Sequence, residues 1–118
     1  MELSEALAKS FDGRQLASIE FVWDYLQFRF DGPCITVYTE PRLVLKGSEV
    51  RADSPDFKNA LCALIGNTII KSSLDLDSRS LKLMFDGDRV LMISFRDEDY
   101  RGPEAINIVD VDRQQWII

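Results

Sequence analysis

The chain has 118 residues and a mass of 13.5 kDa, enough for one domain and too little for two, so residues 1–118 are expected to fold as a single unit. With 46% hydrophobic and 29% charged residues it lies far from the apolar-poor composition of disordered chains, and a core is expected. The 14 basic and 20 acidic residues leave a net charge of −6 with no histidine, which removes the commonest general base and metal ligand and argues against nucleic acid as a partner, since phosphates are held by Lys and Arg.

The first eleven residues, MELSEALAKSF, place Glu2 and Glu5 where an export signal would be basic, and no run is apolar enough to cross a membrane. A cytoplasmic protein without a membrane partner is expected. The same stretch reads as a helix over Leu3 to Ser10, with Leu3, Ala6, Leu7 and Phe11 on one face and Gly13 as its stop. The apolar period then changes from 3.6 to 2. Ile19 and Phe21, then Leu26, Phe28 and Phe30, then Ile35 and Val37 predict a three-stranded meander turned at Trp23-Asp24 and Asp31-Gly32. Leu43 to Leu45 supply a fourth strand, and Lys46 to Pro55 read as a connection. A second helix follows, with Ser54 as N-cap, Pro55 at its first position, an apolar stripe of Phe57, Ala60, Leu61 and Leu64, and Gly66 as its stop. Three strands come next: Ile70, Ser72 and Leu74; Leu81, Leu83 and Phe85; and Val90 to Phe95, apolar on both faces and therefore central. Ala105 to Val111 and the terminal residues 114–118 complete the pattern.

The chain is thus written twice. LQFRFDGPCITV at 26–37 superposes on LKLMFDGDRVLM at 81–92, matching Leu26 with Leu81, Phe30 with Phe85, Asp31 with Asp86 and Gly32 with Gly87. Phe28/Leu83, Ile35/Val90 and Val37/Met92 are conservative matches. Upstream, Gly13 matches Gly66 and Phe21 matches Leu74, with extra residues in the Asp75–Arg79 turn. The expected fold class is α+β: two tandem αβββ-like half-repeats, about 1–50 and 54–111, forming a curved or barrel-like, mainly antiparallel sheet with two short helices packed on it. The C-terminal strand 114–118 is added to that sheet.

Few residues suggest chemistry. The phrase FDG occurs three times, and Asp31, Asp86 and Asp88 invite a metal reading; the preferred one has Phe in the core, Asp bonded to its own turn and Gly at positive φ. Asp75-x-Asp77 fails as a calcium loop, because Arg79 and Ser80 stand where a ligand and a glycine are needed. No nucleotide or hydrolase motif is present. Neither catalysis nor any cofactor or metal is expected, and Cys34 and Cys62, without CxxC spacing, are expected to be reduced and buried. Connections in a meander alternate between its ends, so Asp75 and Asp77 should gather with Asp97, Glu98 and Asp99, interspersed with Arg79, Arg96 and Arg101. That cluster reads either as a solvated end or as a docking surface for a basic partner with Tyr100 as aromatic anchor. Trp23, Asp24 and Tyr25, at the first hairpin turn, should expose at least one ring, as a hairpin cover or as part of an interface.

The helix-Gly-strand-strand-FDG-strand order of LIGNTIIKSSLDLDSRSLKLMFDGDRVLMIS and the ending RGPEAINIVDVDRQQWII resemble small β-rich bacterial immunity proteins of contact-dependent growth inhibition and related polymorphic toxin systems. The resemblance covers residues 61–118, and Gly102 to Ala105 is its most recognisable piece. It implies a non-enzymatic cytoplasmic inhibitor that binds a cognate toxin domain, often a basic nuclease, and occludes its active site. No contact residue is implied by it; Trp23, Asp24, Tyr25, Asp75, Asp77, Asp97, Glu98, Asp99 and Tyr100 come from the meander geometry. The alternative is a small-ligand-binding or structural β-rich module without a toxin partner.

Overall fold

Residues 2–118 are described by a computed structural model. The first helix, α1 (Glu2–Phe11), buries Leu7 and Phe11, and Gly13 at φ 83° turns the chain out of it. The strands β1 (Ser18–Val22), β2 (Tyr25–Arg29) and β3 (Cys34–Val37) form the expected antiparallel meander, with Phe28, Ile35 and Val37 buried on its inner face.

After β3 the chain leaves that sheet. Thr39 Oγ1 donates to the Ser94 carbonyl at 2.9 Å across the corner, and β4 (Arg42–Leu45) with β5 (Ser48–Val50) joins a second sheet. The segment expected as a plain connection therefore holds a strand, because the Lys46-Gly47 turn, at φ 49° and 83°, closes a hairpin within it. The second half repeats the order: α2 (Phe57–Cys62), β6 (Ile69–Asp75), β7 (Ser80–Phe85), β8 (Arg89–Ser94), β9 (Ile106–Val109) and β10 (Gln115–Ile117). The strands form two antiparallel five-stranded sheets, ordered β1-β2-β3-β9-β10 and β5-β4-β8-β7-β6, with β8 central as its apolar faces required. This corrects the expectation of a single sheet, curved or barrel-like, in its number and in its closure. Each half gives three strands to one sheet and two to the other, so there are two open sheets and no closure.

The registers repeat with the exchange. Ile35 pairs with Ile108 as Leu91 pairs with Leu43; Leu43 pairs with Val50 as Ile108 pairs with Trp116; Phe21 pairs with Leu26 as Leu74 pairs with Leu81. Around the Gln15–Thr68 bridge the backbone bonds are reciprocal. Gly13 N–H donates to Ile69 C=O (2.7 Å) and Gly66 N–H to Leu16 C=O (2.8 Å), while Ile69 N–H donates to Arg14 C=O (2.8 Å) and Leu16 N–H to Asn67 C=O (3.0 Å). This is the self-complementary pattern of a two-fold contact, here inside one chain.

Several local expectations shift. Asp31-Gly32 is a two-residue turn closed by Phe30 N–H on Pro33 C=O, whereas Phe85 pairs with Arg89 and leaves Asp86, Gly87 and Asp88 in the loop. The extra loop residue aligns Ile35 and Val37 with the buried Leu91 and Ile93; Val90 and Met92 are half-buried on the outer face. A bulge between Ile69 and Lys71 turns Ile70 outward and leaves Ile69, Ser72 and Leu74 on the inner side. The second helix begins at Phe57, because Ser54 Oγ accepts the Asp56 N–H at 3.2 Å and caps the preceding turn. Cys34 is half-buried and Cys62 exposed, both free, so neither belongs to the core. One apolar cluster lies between the sheets and helices, with Phe11 and Phe30 edge-to-face at 5.1 Å.

Candidate functional site

The β1–β2 hairpin has a two-residue turn, Trp23-Asp24, between Val22 and Tyr25. Nothing packs over the turn residue Trp23, which is 98% exposed. Tyr25 is half-buried because it alternates to the outer face of the sheet and meets Tyr38 with ring centroids 5.6 Å apart. The Tyr38 hydroxyl is held above its ordinary pKa, first by burial and then by Glu104, Tyr25 and Asp24, so it remains a neutral donor well above physiological pH.

Beside this hairpin runs a groove of about 600 Å³. It lies between the Phe21–Leu26 hairpin, the β3–β4 corner at Thr39 to Pro41, and residues 52–58 leading into α2. Apolar rings of Phe21, Trp23, Tyr25 and Phe57 form its walls, and Lys58 Nζ stands 5.8 Å from the centroid of the Phe21 ring. Asp24, Glu40 and Asp53 line it against two cations, Lys58 and Arg101. A second cleft of about 300 Å³ shares Glu40, Pro41, Ala52 and Arg101 with the first and continues to Glu98, Asp99 and Tyr100. Arg101 sits where the two clefts meet, its Nε donating to the Tyr38 carbonyl at 3.1 Å.

The carboxylates expected at one end are adjacent, though they are spent differently. Arg79 reaches Asp97 at 3.6 Å and so joins the β6–β7 turn to the loop after β8, whose Asp97–Asp99 segment is a 3-10 turn. Asp75 faces its own turn. Its Oδ1 accepts from Asp77 N–H (3.0 Å) and Ser78 N–H (3.2 Å), its Oδ2 accepts from Lys82 (3.1 Å), and these bonds, led by the Ser78 amide, hold its carboxyl below the usual range. Asp99 accepts from Ser94 Oγ and lies 3.6 Å from Arg96 Nε, while Glu98 pairs with the same Arg96. Asp97, at 88% side-chain exposure, is the most open of the three.

Of the nine residues expected at a site, Trp23, Asp24 and Tyr25 border the first cleft and Glu98, Asp99 and Tyr100 the second, so the fold connects two features that lie far apart in sequence. Asp75, Asp77 and Asp97 line neither cleft. Compared with known proteins, the chain matches no family model, no curated protein and no solved structure. Phe21, Glu40, Phe57 and Lys58 complete the groove walls and were not marked as site residues by the sequence pattern, which set Arg101 only among the cations of the acidic end. Phe21 and Phe57 read as core residues by periodicity; the sheet-edge position of Phe21 exposes its ring, while Phe57 stays buried and only borders the groove. The three FDG aspartates lie in separate places, and among the described residues no group of three or more Cys, Asp or Glu side chains is placed to hold a metal.

Proposed function

We propose that this chain is a non-catalytic, cytoplasmic binding protein that neutralises a cognate toxin domain by covering its active site, using the face that carries the Trp23 hairpin and the 98–101 loop. The single observation that supports this reading is the fully exposed Trp23 beside a groove with aromatic walls and a charged rim. Such a ring loses its contact with water only when a partner covers it, and aromatic residues of this kind anchor protein interfaces inside polar rims. The net charge of −6 favours a basic toxin and fast association with it.

The test is co-expression with the toxin-domain candidate encoded directly upstream, scored by growth and by co-purification. Protection together with a stable complex is expected, and Trp23→Ala should weaken that complex by about 2 kcal/mol, roughly thirty-fold in Kd. Absence of both protection and complex sinks the proposal. A second reading, a small-ligand module, draws on the groove volume of about 600 Å³, which lies in the usual range for ligand pockets. A reproducible thermal-shift stabiliser from a metabolite panel would promote it.

A further inference from the structure

The internal two-fold is broken at one edge. On the second sheet, Asp12 Oδ1 at the end of α1 accepts from Ser72 N–H (2.8 Å) and from Ser72 Oγ (2.7 Å), and α1 lies against β6. An edge amide of β6 is thereby satisfied. The equivalent positions in the other half are Ile65 and Ile19, which carry no such pair, and α2 has 6 residues where α1 has 10. The tight Trp23-Asp24 turn also fixes which groups of β1 face outward. Val22, Glu20 and Ser18 bond inward to β2, while the N–H and C=O of Ile19 and Phe21 point away from the sheet. Neither of those two amides has an acceptor among the described residues, and Glu20, Phe21 and Val22 are all exposed. The aromatic groove opens at the Phe21 end of this strand.

An open edge is normally blunted, and here only one of two equivalent edges is. Unpaired strand amides beside pockets for side chains are the requirement for strand addition. We propose that an extended segment of a protein partner adds to β1 as a sixth strand of the first sheet, pairing with Ile19 and Phe21 and seating an apolar side chain against Phe21, Trp23 and Phe57. This rests on the protein-binding reading above and names the mode of binding. The segment is basic: carboxylates outnumber cations along the groove, and a second copy of this chain would bring a further charge of −6 to the same edge.

The test pans phage-displayed random dodecapeptides on the full chain and uses the most enriched peptide, made synthetically, as the probe. The expected peptide alternates apolar with basic residues and protects the Ile19 and Phe21 amide protons from exchange in proton–nitrogen NMR spectra. The double variant Ile19→Ser, Ile65→Asp reinstates the carboxylate plug found at β6 and should weaken the peptide about ten-fold or more, the loss of backbone bonds worth about 1.4 kcal/mol. Absence of any enriched peptide, or a peptide that leaves both amides exchanging as in the free protein, overturns the proposal. The amide readout needs no variant, so a misfolded double variant leaves the test standing. Peptide pairing at β1 without toxin protection would retain the strand addition and remove the inhibitor reading.

Discussion

At the residue scale, the one carboxylate buried among the described residues is Asp110, only 4% exposed and outside every candidate constellation. Its Oδ1 accepts from the amides of Asp112 (2.9 Å) and Gln114 (2.8 Å), and its Oδ2 accepts from Trp116 Nε1 (2.9 Å). Burial pushes its pKa up, yet the Trp116, Gln114 and Asp112 bonds outweigh burial and leave it below the usual carboxylate value. A depressed folded-state pKa contributes stability that is complete above the unfolded value of about 3.9 and is lost as pH falls through the lower folded value. Asp110→Asn keeps an acceptor for the two amides but sets an N–H₂ donor against the indole N–H. It should lower stability at pH 7 by about 1–2 kcal/mol and flatten the acid limb below about pH 4, read from urea midpoints across pH. Nothing in the sequence singled Asp110 out, because its partners come from a turn whose geometry only the folded chain fixes. Trp23, by contrast, was legible, since a turn residue between two strands has no face to bury.

At the element scale, periodicity located both helices and nearly every strand; β5 escaped it because its hairpin lies inside the expected connection, and the misplaced strand faces share a different cause. A single inserted residue reverses the facing of everything after it. The third residue of the Asp86–Asp88 loop puts Leu91 and Ile93 on the buried face of β8 in place of the Val90 and Met92 matched to Ile35 and Val37, and the bulge before Lys71 turns Ile70 outward in the same way. The ungapped identity of the two copies sets Ile35 against Val90, one residue out of step with the fold, because the second loop is one residue longer. The expectation for the FDG aspartates fails for another reason: Asp12 bonds Ser72, sixty residues away, and not its own turn, and the Asp31 and Asp86 carboxylates make no bond to theirs. Asp12→Ala should therefore cost about 1–2 kcal/mol and Asp12→Asn clearly less, since one amide oxygen can still take both bonds; equal losses in chemical denaturation would contradict this account.

At the scale of the whole molecule, the repeat was visible in the sequence and the strand exchange was not. Each copy contains its own meander, and nothing local indicates that the next hairpin crosses to the other sheet. The pairing of β3 with β9 and of β4 with β8 makes each half complete the other's sheet. Fragments 1–53 and 54–118 should each lack sheet signal in far-UV circular dichroism at micromolar concentration and regain it on mixing. A folded isolated fragment would show that five strands and a helix suffice without the other half, against the burial expected of so short a chain.

The same exchange bears on how the protein opens. The central strands β3 and β8 are each flanked on one side by a strand from the opposite half, so neither sheet can come apart without withdrawing a hairpin from the other. The amides of both strands should then exchange with solvent through one shared event, at one free energy and one urea dependence. The unpaired edge of β1, lying outside this interlock, is free to form and release contacts while the interlocked core stays closed.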